Sequence, residues 1–183
     1  MASLSPALPR RNIELKAKLE SLSAAREVAR RLTGAAPEIE WQTDTYFAAA
    51  FGRLKLRERQ ALPAQLVWYA RPDGRESKPS DYLLVPVADA ALLKQALTSA
   101  YGVLVVVAKR REIYLYENVR IHLDQVSGLG DFLEFEAVLS PGDQDAAGHA
   151  LLSALCRRFA IEPRHLVAES YSDRLLVEHA RRG

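Results

Sequence analysis

Residues 12–19, NIELKAKL, alternate with period two: Asn12, Glu14, Lys16 and Lys18 fall on one side of an extended chain, and Ile13, Leu15, Ala17 and Leu19 on the other. The pattern recurs. In RLKLRER, Arg53, Lys55, Arg57 and Arg59 oppose Leu54 and Leu56; in VRIHLDQV, Arg120, His122 and Asp124 oppose Ile121 and Leu123; in DFLEFEAV, Glu134 and Glu136 oppose Leu133 and Phe135. Lys109 and Arg111 share a face in the same way. Segregation at every second residue belongs to strands, because a helix repeats every 3.6 residues. A one-sided sheet with a solvated ionic face would account for any one of these strands. It does not account for charges sorted by strand, one strand almost purely cationic and another carrying glutamates. A closed or nearly closed barrel does: it turns the ionic faces inward and leaves the apolar exterior for helices to cover. A lumen of that kind calls for a highly charged partner.

The rest of the chain supplies the other elements. Glu20–Leu32 has apolar residues at helical spacing and is stopped by Gly34 and Pro37. EIEWQTDTYFA, GRLKLRER, AQLVWYARPD and SDYLLVPV read as four strands separated by Gly52, Pro63, the Pro72–Gly74 turn and Pro79. Asp89–Ala100 is a helix with Asp89 as N-cap. Val103–Tyr116 and VRIHLDQV form a long hairpin about Glu117 and Asn118, and a glycine-rich turn leads into GLGDFLEFEAVL. DQDAAGHALLSALCRRFA and SYSDRLLVEHA are helical, the second capped by Ser170 or Ser172. Seven or eight strands with a few helices make an α+β fold.

The 183 residues, 49% hydrophobic and 26% charged, suit one domain with a real core. The longest uncharged apolar run, Tyr101–Ala108, is far shorter than the roughly 18 residues of a membrane helix. The start MASLSPALPRR lacks the order of a signal peptide, so a cytoplasmic protein with a short disordered N-terminus, no membrane partner and a monomeric or homodimeric state is expected. One cysteine, Cys156, excludes an internal disulfide and a multi-cysteine metal site. The scattered His122, His149, His165 and His179 show no zinc spacing, so any metal here needs carboxylates. Twenty-five basic residues against 23 acidic ones argue against a nonspecific nucleic-acid binder. RLKLRER and KRRE could contact RNA, but acidic residues facing those cations would repel its backbone.

Cationic and carboxylate clusters in one lumen point to a polyphosphate with a metal: Arg and Lys neutralise phosphate oxygens, whereas carboxylates hold magnesium or manganese that bridges to them. There is no Walker A pattern, and the GLG at Gly128–Gly130 is a turn rather than a phosphate loop.

Taken in order, NIELKAKL, QTDTYF, GRLKLRER, SDY, VRIHLDQV and GLGDFLEFE resemble the CYTH superfamily, also called triphosphate tunnel metalloenzymes. The likeness covers residues 11–140 and includes the SYSDRLL tail. It implies one domain over residues 1–183: a tail at 1–10, an eight-stranded antiparallel tunnel with a charged interior and two helices at 11–140, and C-terminal helices at 141–183. The family's ExExK signature falls on Asn12, Glu14 and Lys16, so the first glutamate is replaced by an amide that offers an oxygen without charge. By resemblance Glu14, Asp124, Glu134 and Glu136 are the metal ligands for Mg2+ or Mn2+. Lys16, Lys18, Lys55, Arg57, Lys109, Arg111 and Arg120 are the triphosphate-binding positions, and Glu14, Lys16 and Glu136 carry catalysis. The implied function is a metal-dependent phosphohydrolase acting on tripolyphosphate or a nucleoside or thiamine triphosphate. Alternatives are a class IV-type adenylyl cyclase making cyclic AMP and pyrophosphate from ATP, and a noncatalytic module that binds polyphosphate or nucleotide. Asp44 is expected to orient a basic residue and Tyr46 to be core, and Trp41, Trp68 and Tyr69 to pack under helices.

Overall fold

In a computed structural model, residues 10–72, 74–140 and 142–182 are described. The tail expected at residues 1–10 lies outside them except for Arg10, which opens the first strand. The strands are β1 (Arg10–Lys18), β2 (Glu38–Phe47), β3 (Arg53–Arg59), β4 (Leu62–Ala70), β5 (Lys78–Val87), β6 (Val103–Tyr116), β7 (Val119–Val126) and β8 (Gly130–Leu139). Four α-helices join them: α1 (Leu22–Thr33), α2 (Ala90–Tyr101), α3 (Asp145–Arg158) and α4 (Tyr171–Arg182). The strands form one closed antiparallel barrel in the order β1-β5-β4-β3-β2-β6-β7-β8, with β8 pairing back onto β1. This is the α+β tunnel that the alternation and the resemblance imply.

The ionic residues also fit the register. Across β1 and β8, Lys16 faces Glu134; across β2 and β3, Asp44 faces Arg57; across β6 and β7, Arg111 faces Asp124; across β7 and β8, Arg120 faces Glu136. Opposed charges of this kind contribute roughly 0.2–1 kcal/mol each, and a slip by one residue would send every one of them into the apolar exterior. Glu14 faces Glu136 across β1 and β8, the exception, where like charges stand opposite each other.

Helix ends follow the local sequence. Ser21 Oγ accepts from Ala24 N and Asp89 Oδ1 from Leu92 N, and Gly34 takes the left-handed conformation that ends α1 at φ 65°. At α4 the cap is Ser170, whose Oγ accepts from Asp173 N at 3.1 Å. The main core lies outside the barrel, where α1 and α3 press Ala25, Ala29, Leu152 and Leu155 onto Ile13, Ile121, Leu133 and Phe135. Gly148 permits this approach, because a Cβ there would stand 2.7 Å from Ile13 Cγ1. Glu112 points outward and binds Arg26 of α1, tying that helix to β6. The cluster KRRE is therefore split by the strand: Lys109 and Arg111 line the interior, while Arg110 and Glu112 pair on the exterior.

The helices cover the exterior unevenly. No described residue of α2 is buried, and Trp41, Leu104 and Val106 stay exposed on β2 and β6. Trp41 thus departs from the expectation that it packs under a helix, because α2 does not reach far enough over β2 and β6 to cover it. Trp68 instead donates from its indole to Phe51 O at 3.0 Å, and Tyr69 turns into the barrel.

Candidate active site

The barrel encloses a cavity of about 350 Å³, within the range that small ligands occupy. Among the described residues it is lined by eight cationic side chains and four carboxylates. One wall is β1, β8 and β7, carrying Glu14, Lys16, Glu134, Glu136, Arg120 and His122; the other is β2, β3 and β6, carrying Lys55, Arg57, Lys109 and Arg111. Ser170 and Tyr171, at the start of α4, also line it.

On the cationic wall, Asp44 lies behind Lys55 and Arg57. It accepts from Lys55 Nζ at 2.8 Å and from Arg57 Nε and Nη2 at 2.8 and 2.9 Å, a bidentate grip that fixes the guanidinium plane. Burial pushes the Asp44 carboxyl up, but Arg57 and Lys55 outweigh it and hold the group well below the usual carboxylate range. Tyr46 is buried and its hydroxyl accepts from Lys55 Nζ at 3.3 Å, so it is both core and wall. Lys109 has no equally close carboxylate: Asp124 lies 3.8 Å away. Burial, reinforced by Arg111, lowers Lys109 to about 7.

Asp124 does for Arg111 what Asp44 does for Arg57. Its oxygens accept from Arg111 Nε at 2.6 Å and from Tyr171 OH at 2.9 Å, and the side chain is fully buried behind the cavity lining. The structure thus places Asp124, expected among the metal ligands, in a supporting position: its lone pairs are taken by a guanidinium and a phenol. Lys18, the last residue of β1 and still paired with Phe132 of β8, likewise stays outside the lining, donating to Leu129 O with its ammonium over the Phe132 ring. The other expected residues converge on the cavity.

The acidic patch combines three adjacent strands. Lys16 Nζ lies 3.0 Å from Glu134 Oε1, Arg111 Nη2 lies 2.5 Å from Glu134 Oε2, and Arg120 Nε donates to Glu136 Oε2 at 3.1 Å. Against the upward push of burial, Lys16 and Arg111 hold Glu134 well below its ordinary pKa, and His122 and Arg120 lower Glu136. Glu14 goes the other way: burial raises it, Arg71 opposes this, and Glu136 adds to the rise. Glu14 Oε1, Asn12 Oδ1 and His122 Nδ1 are buried without a hydrogen-bond partner. Nitrogen and oxygen atoms of His122, Glu134 and Glu136 lie within 4.8 Å of one another, close enough to share one cation.

Several wall residues were not among the expected site. Arg71, 3.6 Å from Glu14, extends the Val67, Tyr69, Arg71 alternation, which carries its signal in the sequence. Glu40 and Gln42 continue the same face as Asp44 and Tyr46. Tyr171 is different. It enters from a helix and sets its ring under Lys16 Nζ at 3.8 Å, and no period-two pattern marks it.

A closed barrel with cations and carboxylates sorted around its lumen narrows the family, and a family model for the CYTH domain matches residues 10–171. The chain belongs to this family. CYTH members are triphosphatases or adenylyl cyclases, depend on a metal and act on triphosphates. No curated protein matches the chain. Among solved CYTH-like structures, the PH1012 protein of Pyrococcus horikoshii superposes with a TM-score of 0.79 at 25% identity, covering 88% of this chain and 98% of its own. A conserved Pyrococcus furiosus protein gives 0.77 at 18%, covering 88% and 98%. HpAC1 from Hippeastrum, a candidate adenylyl cyclase with a dominant triphosphatase activity, gives 0.67 at 13%, covering 93% and 96%. The last two likenesses concern the fold.

Proposed function

We propose that this CYTH protein is a divalent-metal-dependent phosphohydrolase that takes the triphosphate group of its substrate into the barrel. The observation that carries this reading is the lumen itself, where paired and preoriented cations face a buried carboxylate patch in which Glu14 Oε1, Asn12 Oδ1 and His122 Nδ1 have no hydrogen-bond partner. Lys16, Lys55, Arg57, Lys109, Arg111 and Arg120 bind phosphate oxygens, and Asp44 and Asp124 keep Arg57 and Arg111 in position before the substrate arrives. Lys109, whose charge burial and Arg111 disfavour, gains a counter-charge when a polyanion enters.

Glu14, Glu134 and Glu136 fit a Mg2+ or Mn2+ ion, on the ground that the patch offers hard oxygen donors and that Glu14 Oε1 is buried with no hydrogen bond and only Arg71 Nε at 3.6 Å. When bound, such an ion neutralises charge on the phosphate oxygens and lowers the pKa of a water. Burial raises the Glu14 carboxyl while Arg71 opposes the rise, and a cation beside it would favour its charged form. Tyr171 and α4 close part of the lumen and limit bulk water.

The adenylyl cyclase reading uses the same lumen, with a ribose hydroxyl in place of water; Tyr82 and Leu84 in the β5 wall give an apolar area that a base could rest on. A product assay separates the two. Purified protein is offered tripolyphosphate, ATP and thiamine triphosphate with Mg2+ or Mn2+. Orthophosphate release abolished by Glu136→Gln supports the hydrolase; cyclic AMP with pyrophosphate supports the cyclase. Tight binding of tripolyphosphate without turnover would leave a binding module.

A further inference from the structure

We infer that His122 is a nitrogen ligand of the cation centre, joining Glu134 and Glu136, and that this makes the centre prefer a transition cation such as Mn2+ or Co2+ over Mg2+. The inference rests on the metal-dependent reading above and concerns which atoms hold the ion and which ion they select.

His122 projects from β7 into the lumen beside the β8 glutamates and is 3% exposed, yet its Nδ1 has no hydrogen-bond partner. A buried, unsatisfied imidazole nitrogen is costly and calls for an explanation. The nearest acceptors are Glu136 Oε1 at 3.6 Å and Glu134 Oε2 at 3.9 Å. Both are beyond hydrogen-bond range. They are near the separations that a shared cation imposes: ligand bonds of about 2.1 Å place neighbouring ligand atoms about 3.0–3.4 Å apart. Glu136 keeps Oε1 turned toward His122 while Arg120 takes Oε2.

The local sequence gives the substitution its sense. Asn12 stands at the first signature position and contributes a neutral oxygen, so the patch lacks one carboxylate. An imidazole restores a strong donor. It also changes the selectivity, because Mg2+ favours oxygen donors, whereas imidazole suits transition ions. A polyphosphate would compete for Lys16, Arg111 and Arg120, which now hold Glu134 and Glu136, and would free those carboxylates for the ion.

The test is pulsed electron paramagnetic resonance of the full chain with Mn2+, alone and with tripolyphosphate, which contains no nitrogen. The expected result is a nitrogen-14 modulation that becomes a nitrogen-15 pattern when the protein is labelled with [15N]histidine, and that disappears in His122→Gln. Calorimetry is expected to show Co2+ binding weakened at least tenfold in His122→Gln with Mg2+ binding changed less than about threefold. His122→Asn, checked by circular dichroism, serves as a second variant if the first does not fold. Bound Mn2+ without nitrogen coupling, or coupling that survives in His122→Gln, would overturn the inference and leave the triphosphate reading standing. Tripolyphosphate binding and turnover with no bound metal would overturn the inference together with the metal dependence.

Discussion

At the scale of single residues, the barrel interior depends on carboxylates that hold basic side chains ready. Asp44 is 1% exposed and binds two of them. Asp44→Asn leaves Lys55 and Arg57 facing each other without a counter-charge, and loss of a buried ionic partner typically costs about 3–5 kcal/mol. Arg57 keeps some solvent contact, so a loss of about 2–4 kcal/mol is expected in urea unfolding, with part of it recovered on adding tripolyphosphate. Lys109 gives a pH signature. Its pKa is about 7 in the folded chain against 10.5 for a free lysine, so between those values the unfolded chain binds a proton that the folded chain lacks. Stability therefore rises with pH across that window, and Lys109→Met is expected to flatten the rise in unfolding midpoints measured from pH 7 to 9. Near pH 8, tripolyphosphate binding should take up close to one proton in the native protein and fewer in Lys109→Met, which calorimetry in buffers of different ionisation enthalpy reads directly.

At the scale of elements, one buried glutamate on the outer face of β6 adds an ionic tie to the apolar packing that attaches α1. The hydrogen bonds of Arg26, and after it Arg110, hold Glu112 at about 2. A carboxylate depressed in this way contributes stability that is complete above the ordinary value of 4.5 and is lost as pH falls toward 2. Glu112→Gln should cost about 2 kcal/mol at neutral pH and reduce the acid sensitivity of unfolding between pH 4.5 and 2. Glu112 also shows what was legible in the sequence. Alternation in NIELKAKL, RLKLRER and DFLEFEAV was enough to infer strands with an ionic interior, because a closed sheet turns all those faces inward. The two halves of KRRE follow the same rule. What alternation does not carry is the pairing of charges across strands: Asp124 has the spacing of a lumen ligand and is consumed by Arg111 and Tyr171, a contact that needs both β6 and α4 in place. The exposure of Trp41 was hidden for a similar reason, since it depends on how far α2 lies over the barrel, which its own periodicity does not state.

At the scale of the whole molecule, the barrel reverses the usual arrangement of a small fold. Its apolar core is outside, between strands and helices, and its charged groups are inside. Cations outnumber carboxylates in the lining even when Asp44 and Asp124 behind it are included, so the lumen has a positive field that a polyanion relieves. Binding and stability are therefore linked: tripolyphosphate at about a hundred times its dissociation constant should stabilise the fold by roughly 2.7 kcal/mol, and at the same concentration by about 1.4 kcal/mol less for each tenfold loss of affinity in Arg57→Ala. The most direct measurement is the fate of tripolyphosphate in the presence of Mn2+, followed by chromatography, for the native protein and Glu136→Gln. Release of orthophosphate by the native protein, reduced at least a hundredfold by the substitution with tripolyphosphate binding retained, is the expected result. Turnover that is unchanged in Glu136→Gln, or that persists when divalent ions are chelated, would contradict a metal-assisted reaction inside the barrel.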